Sequence, residues 1–233
     1  MSIEVSEEIT VGPAREPWYL RLPIIADLRR SHGLQRGMLI VGLVLTLILV
    51  FTAIFAPLIA PYSWAAQGDA AGSFGTQQPP SDRNIWGTTV SGFDVFSRVI
   101  WGTRTALAVM VFAVIASALI GIVLGVISGY IGGWLDRTLV MIADAVYAFP
   151  SLLLAIVLSI VISGGQSTPW GGILAAALSI TVVFIPQYFR VIRAEAVRLK
   201  AEPFVEASKV IGAPRRKIMF GHVLRNSTRT LPL

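Results

Sequence analysis

The stretch EPFVEASKVIGAPRRKIMFGHVLRN, residues 202–226, is the longest polar interruption between a strongly apolar segment and the end of the chain. It is predicted to form two short helices joined at a glycine. Pro203 suits the first turn of a helix, where a missing N–H group costs no hydrogen bond. Gly212 stands where a helix end favours a positive φ. Two short amphipathic helices with basic flanks indicate a docking surface for another protein.

Each predicted helix carries residues that recur at helical spacing along one side. In the first helix these are Phe204, Val205, Ser208 and Ile211, and in the second, which Pro214 opens, they are Ile218, Met219, His222 and Val223. The pattern predicts that both helices are amphipathic.

Upstream of this stretch the chain is too apolar for an ordinary soluble domain. Of its 233 residues, 55% are hydrophobic and 14% are charged, and several runs reach the roughly 20 apolar residues that a bilayer crossing needs. The absence of cysteine excludes disulfides and Cys-ligated metal sites, and two histidines leave little scope for another metal centre. The composition therefore predicts an all-α integral membrane protein.

Four segments are predicted to cross the membrane, residues 38–59, 105–127, 138–162 and 171–189. Residues 1–37 are polar and are expected to form a cytoplasmic tail with an interfacial segment. Ten of the 19 Lys and Arg residues lie in 190–229, against three acids, which places the 202–226 stretch in the cytoplasm. Because topology accounts for the positive charge, nucleic acid is not an expected partner.

The connections between these spans differ in length. Residues 60–104 are expected to be external, a loop followed by an amphipathic helix, with Gly, Ala, Ser, Gln and Pro dominating 65–81. Residues 129–137 are predicted to form a tight turn at the membrane interface between the second and third spans.

Two patterns in the chain resemble one known family. The triplet Glu206-Ala207-Ser208, then Gly212, then His222-Val223-Leu224, resembles the EAA motif of ABC importer permeases. The stretch from Trp86 to Arg104 resembles the segment that precedes the transport core in C-type permeases for dipeptides, oligopeptides and nickel. The shared residues of that segment are Gly87, Thr88, Gly92, Asp94, Ser97 and Arg98, and the chain departs from the family pattern at Thr89, Phe93 and Arg225.

This resemblance implies a fold and a set of partners. The fold would be the transmembrane domain of a type I ABC importer, with a permease core over 105–233 and four spans in this chain of the six that relatives have. The partners would be a second permease subunit, one or two cytoplasmic ATPase subunits that bind ATP and Mg²⁺, and an extracytoplasmic binding protein. The location would be a bacterial inner membrane, crossed several times.

In this family the EAA loop forms a coupling helix pair that fits a cleft on the ATPase. The resemblance therefore implies that the following residues couple this chain to an ATPase subunit: Glu206, Ala207, Ser208, Gly212, Arg215, Arg216 and His222. Glu206 would cap or pair at the cleft, and Gly212 would permit the turn between the helices. The imported substrate would be a di- or oligopeptide, with nickel or another small solute as the alternative.

Four further residues are candidates for structural or gating roles. Asp144 is an acid inside a predicted span, which marks a functional candidate, but its position near the cytoplasmic end favours pairing with a neighbouring helix. Pro150 is expected to bend the third span. Asp94 and Arg98 lie near the external mouth in the family-like segment.

No catalytic, cofactor or metal site is predicted in this chain. It lacks the GxxxxGK[ST] phosphate loop, so ATP hydrolysis is expected in a partner and not here. Three readings stay open at this stage: an ABC permease subunit, a channel or secondary transporter that does not use ATP, and a membrane scaffold fragment without transport of its own. They separate on whether residues 202–226 bind an ATPase.

Overall fold

The computed structural model of this protein describes residues 31–165 and 168–227. In chain order, its transmembrane part consists of α1 (Gly33–Ile59), a small hairpin of β1 (Gly68–Asp69) and β2 (Gly72–Ser73), α2 (Val95–Ile131), α3 (Gly133–Ala148), α4 (Ser151–Ser163) and α5 (Pro169–Lys200). Within the described ranges, α1, α2 and α5 are long and apolar enough to cross a membrane, and the bent pair of α3 and α4 gives a fourth candidate.

Helix α2 is longer than the sequence predicted. The expected amphipathic helix before residue 105 and the expected span over 105–127 form one continuous helix of 37 residues. Its start is fixed by Asp94, whose carboxylate accepts a hydrogen bond from the backbone N–H of Ser97 at 2.7 Å. It ends at Gly132, which has a φ of +72°. The tight turn expected over 129–137 therefore reduces to one glycine between two helices.

The third span is also different from the predicted single helix over 138–162. Helices α3 and α4 meet at an angle of 98° across Phe149 and Pro150, both of which have extended backbone. A residue before proline is driven out of the helical region by the proline ring, and Pro150 cannot donate a backbone hydrogen bond. The predicted bend at Pro150 is thus a complete break.

Helices α2 and α5 pack in parallel along a ridge of three glycines. A Cβ atom at Gly121 would meet Ile185 and Tyr188, one at Gly125 would meet Phe189 and Ile192, and one at Gly129 would meet Arg193 and Ala196. Because these contacts advance together along both helices, the two helices run in the same direction. The intervening α3–α4 pair therefore carries the chain back to the level at which α5 begins.

The segment after α5 folds beneath α2 and α5. It contains α6 (Pro203–Val210), α7 (Arg215–Lys217), a π-helix (Ile218–Val223) and α8 (Leu224–Ser227). A buried apolar cluster, which we call the base core, joins this segment to the ends of α2 and α5. The members of the base core are Val126, Tyr130, Ile192, Ala196, Leu199, Val205, Ile218 and Val223.

The connection between α1 and α2 is organised around Arg83, which pairs with the Asp69 carboxylate in the small hairpin. That hydrogen bond, followed by one from the Ala71 backbone, lowers the pKa of Asp69 below its ordinary value. Tyr62 donates a hydrogen bond to the Arg83 carbonyl at 2.9 Å, and the indole of Trp101 on α2 donates to the Tyr62 carbonyl at 3.1 Å. These bonds anchor the connection to the start of α2.

Candidate coupling site

The turn between the two predicted helices of the 202–226 stretch has the geometry that its glycine implies. Gly212 has a φ of +81°, a conformation that residues with a Cβ atom rarely adopt. Its backbone N–H donates to the Lys209 carbonyl, and the Ala213 N–H donates to the Ser208 carbonyl, both at 3.0 Å. This pair of bonds is the Schellman arrangement that closes a helix end. The chain can therefore reverse sharply after α6.

The inner face of this stretch is fixed to the membrane helices. Val205, Ile218 and Val223 have side chains that are almost fully buried in the base core. Such side chains each contribute about 1.5–3 kcal/mol when buried from water. The stretch is thus held against α2 and α5 as part of one packed unit.

The outer face is apolar at its centre and basic at one side. Val210, the last residue of α6, is 86% exposed, and Ile211, which follows it, is 82% exposed. Arg215, Arg216 and Lys217 follow on α7 and are also exposed. An exposed aliphatic pair beside three cations is a surface typical of protein recognition, in which an apolar centre is surrounded by charge.

Three residues of the predicted apolar sides are exposed, and one of them, Phe204, is 38% exposed at the start of α6. Ile211 is exposed because it caps α6 and the chain turns immediately after it. His222 is exposed because the second helix contains a π turn. The wider π turn, whose backbone hydrogen bonds join residues five apart, changes the angular spacing of the side chains; Ile218 and Val223 are buried in the base core and His222 is exposed.

The coupling candidates in the triplet lie on the accessible side of α6. Glu206 is in the first turn, where a negative charge is favourable, and its carboxylate makes no ion pair with the residues that the structure describes. Ala207 is exposed beside it. The Ser208 hydroxyl donates to the Phe204 carbonyl at 2.7 Å. Their coupling role remains a prediction.

Arg198 stabilises the junction between α5 and the 202–226 stretch. Its guanidinium donates to Glu195 at 2.5 Å and to Glu202 at 3.3 Å. Glu202 is the residue that caps α6. These surface pairs contribute little each, but they bridge the last turn of one helix and the first residue of the next.

Asp144 lies opposite Arg190, and the two form an ion pair of 2.6 Å between α3 and α5. The Arg190 guanidinium also stacks over the Tyr147 ring at 4.3 Å. The side chains of Asp144 and Arg190 are 58% and 50% exposed, so the other helices of this chain enclose the pair only in part. The structure thus places this membrane acid against a partner on a neighbouring helix.

Asp94 and Arg98 have different surroundings at the N-terminal end of α2. Asp94 is buried and accepts hydrogen bonds from Ser97 and from the Asn84 side chain at 2.9 Å. Arg98 stacks over the ring of Phe93 at 4.5 Å. Arg98 therefore contacts Phe93, one of the positions at which the chain departs from the family pattern.

Sequence reasoning missed one polar cluster, which we call the Asp136 cluster. Arg193 on α5 donates two hydrogen bonds to Asp136 on α3, at 2.5 and 2.7 Å, and Ser128 on α2 donates to the same carboxylate at 2.5 Å. Asp136 and Arg193 are 57 positions apart, so no local spacing indicates the contact. The available signal was an acid three residues after the glycine pair at 132–133 and an arginine after the last predicted span.

Comparison with known proteins assigns this arrangement to a family. Residues 121–231 match the model of the binding-protein-dependent transport system inner membrane component. Residues 34–80 match the model of the N-terminal TM domain of oligopeptide transport permease C. The glutathione transport system permease protein GsiD of Salmonella paratyphi A is 35% identical over 222 residues, covering 94% of this chain and 68% of that protein. The chain belongs to the peptide and oligopeptide family of ABC importer permeases.

Two other members of the permease family show similar agreement. The dipeptide transport system permease protein DppC of Alkalihalophilus pseudofirmus is 34% identical over 188 residues, covering 81% of this chain and 58% of that protein. GsiD of Escherichia coli O6:K15:H31 is 33% identical over 220 residues, covering 93% of this chain and 66% of that protein. The chain thus spans from 58% to 68% of the length of these curated relatives.

Membership in the permease family agrees with the expected fold class. The type I ABC importer permease domain is helical and inserted in the inner membrane, as the helices described above require. The family consists of transport permeases and not of enzymes. Family membership supports the permease reading over the channel, secondary-transporter and scaffold readings.

Proposed function

We propose that this chain imports di- or oligopeptides as one of two permease subunits in an ATP-driven complex. A cytoplasmic ATPase subunit binds the outer face of residues 202–226, and an extracytoplasmic binding protein delivers the substrate. ATP hydrolysis with Mg²⁺ takes place in the ATPase subunits. The N-terminus lies in the cytoplasm, on the same side as the 202–226 stretch.

The observation that carries this proposal is the two-sided construction of residues 202–226. One side is buried in the base core against α2 and α5, and the other exposes Val210, Ile211 and three basic residues. A force applied to the outer side is therefore delivered directly to two membrane helices. An element that only obeyed the positive-inside rule would not need buried side chains or an exposed aliphatic pair.

The printed names of the relatives support the substrate class. DppC is named for dipeptide transport and GsiD for glutathione transport, and glutathione has a peptide-like backbone. Charge supports the orientation, because the region from Arg190 to Arg229 holds ten basic residues against three acids.

The test is reconstitution of the full-length protein with its partner permease, ATPase subunits and binding protein in lipid vesicles. The proposal expects ATPase activity that rises when peptide-loaded binding protein is added, together with peptide uptake. A complex that purifies without any ATPase subunit would overturn the proposal. Uptake of nickel without peptide would leave the coupling in place and overturn the substrate class.

A matched pair of variants tests the docking face itself. Ile211→Asp introduces a charge at the centre of the proposed contact, and Leu34→Asp makes the same change at a residue of α1 that is also 82% exposed. The proposal expects Ile211→Asp to lose bound ATPase and Leu34→Asp to retain it. Equal retention of ATPase by both variants would show that Ile211 is not in the contact.

A further inference from the structure

The Asp136 cluster joins three helices through one carboxylate. Ser128 from α2 and Arg193 from α5 both donate to Asp136, which is the fourth residue of α3. The Ser128 side chain is fully buried, and the side chains of Asp136 and Arg193 are only 18% and 33% exposed. A bidentate contact between arginine and a carboxylate has a fixed geometry, so the three helices are held in one relative position.

This cluster lies directly beside the base core. Gly129 follows Ser128 on α2. A Cβ atom at Gly129 would lie 2.7 Å from the Arg193 carbonyl oxygen, so the backbones of α2 and α5 approach closely here. Tyr130 and Ile192, the neighbours of these residues along α2 and α5, are members of the base core. The cluster and the inner face of residues 202–226 are therefore parts of one contiguous packed region.

Helix α3 has little other attachment to this region. Ala143 is its single buried residue among those that the structure describes, and Trp134 and Met141 are 78% and 64% exposed. The second ion pair between α3 and α5, Asp144 with Arg190, has side chains that are each at least half exposed. Asp136 thus provides the most buried polar contact between α3 and the helices above the 202–226 stretch.

We propose that Asp136 is a positioning residue that makes α3 move together with α2 and α5 when the 202–226 stretch is displaced. The proposal rests on the proposed function, since it assigns a role within ATP-driven transport. Displacement of the stretch reaches α2 and α5 through the apolar base core, and it reaches α3 through the Asp136 carboxylate. The bent α3–α4 pair follows because α4 continues from α3.

The first test compares two ion pairs that bridge the same two helices. Asp136→Asn and Asp144→Asn each remove one charge from α3 in the complete complex with ATPase and binding protein. We expect Asp136→Asn to assemble and to lower peptide uptake per ATP hydrolysed by about tenfold. Asp144→Asn is expected to change the amount of assembled complex and not this ratio. The double variant Asp136→Arg with Arg193→Asp restores the opposite charges and is expected to recover most of the lost coupling.

The second test follows the motion in a complex that retains Asp136. This chain contains no cysteine, so spin labels at Met141→Cys on α3 and Val197→Cys on α5 report one distance from within it. Both positions are exposed, at 64% and 47%. We expect this distance to stay the same with and without ATP, while the distance from Val197→Cys to the partner permease changes. Adding Asp136→Asn is expected to broaden the distribution of the first distance.

The outcomes separate the two proposals. A wild-type complex that shows no ATPase-driven uptake would overturn the proposed function. A coupled wild-type complex whose Asp136→Asn variant keeps its uptake per ATP would overturn the role of Asp136 alone. If Asp136→Asn does not assemble, the label distance decides, because a change between nucleotide states in the wild type shows that α3 moves independently of α5.

Discussion

Replacing Gly125 with alanine should weaken the contact between α2 and α5. A Cβ atom at Gly125 would lie 2.8 Å from the Phe189 carbonyl oxygen, 2.9 Å from the Ile192 Cβ atom and 3.0 Å from the Arg193 backbone nitrogen. Contacts between carbon atoms are favourable at about 3.5–4.0 Å, so the two helices would have to separate by about 0.7 Å. None of the three atoms belongs to the flexible end of a side chain, so local rearrangement does not relieve the overlap.

The size of the effect follows from two opposing contributions. Overpacking of this kind costs about 1–3 kcal/mol, and the higher helix propensity of alanine returns up to about 1 kcal/mol. We therefore expect a net loss of about 1–2 kcal/mol in the free energy of unfolding. Gly102→Ala is the matched control, because Gly102 lies in the same helix and a Cβ atom there has no neighbour within 4 Å. That control should be neutral or slightly stabilising.

The assay is thermal denaturation of the purified complex in lipid, followed by the fraction that remains assembled. Gly125→Ala should lower the midpoint by about 2–8 °C relative to Gly102→Ala. If both variants denature at the same temperature, the close approach of α2 and α5 along the glycine ridge does not exist in the assembled protein, and the parallel arrangement drawn from it would have to be revised.

Three other perturbations test the turn in the 202–226 stretch, the ion pair between α3 and α5, and the connection between α1 and α2. Gly212→Asp should abolish peptide uptake while the complex still inserts into the membrane, because the φ of +81° at this turn strains any residue with a Cβ atom. Unimpaired uptake would count against coupling through this turn. Asp144→Asn should mainly lower the yield of assembled complex, since Asp144 pairs with Arg190, and normal assembly with lost uptake would assign Asp144 to the transport pathway instead. The Asp69–Arg83 pair should stabilise the small hairpin at neutral pH, because a lowered pKa means that folding favours the ionised carboxylate of Asp69. This stabilisation should be lost as the pH falls below the ordinary value of 3.8 and through the lowered pKa of Asp69. Hydrogen exchange of residues 68–73 measures it, and an unchanged exchange profile in Asp69→Asn at pH 7 would contradict the prediction.

Local chemistry in the sequence was sufficient to predict several features of this fold. The long apolar runs indicated membrane helices, and Gly212 indicated a turn because the left-handed conformation favours a residue without a side chain. Pro150 indicated an interruption for a similarly local reason. The family assignment needed only two short patterns, which the comparisons support across most of the chain.

The remaining features depend on contacts between distant parts of the chain. Pro150 predicts a break, but the angle of 98° is set by how α3 and α4 pack against α5. A helical pattern of period 3.6 cannot predict the π turn at residues 218–223, so His222 was assigned to the apolar side although it is exposed. The Asp136 cluster needs the parallel alignment of α2 and α5, which no single segment encodes.

The parallel pairing of α2 and α5 has a consequence in angular terms. Helix α5 has 32 residues and is therefore about 48 Å long. Close contact of the two backbones at three glycines couples the tilt of α5 to that of α2. With the pivot at Ala196 in the base core, the far end of α5 lies about 40 Å away, so a tilt of about 10° moves that end by about 7 Å. Small rotations at the end that packs against residues 202–226 are thus geometrically sufficient to displace the opposite end of α5 by several ångströms.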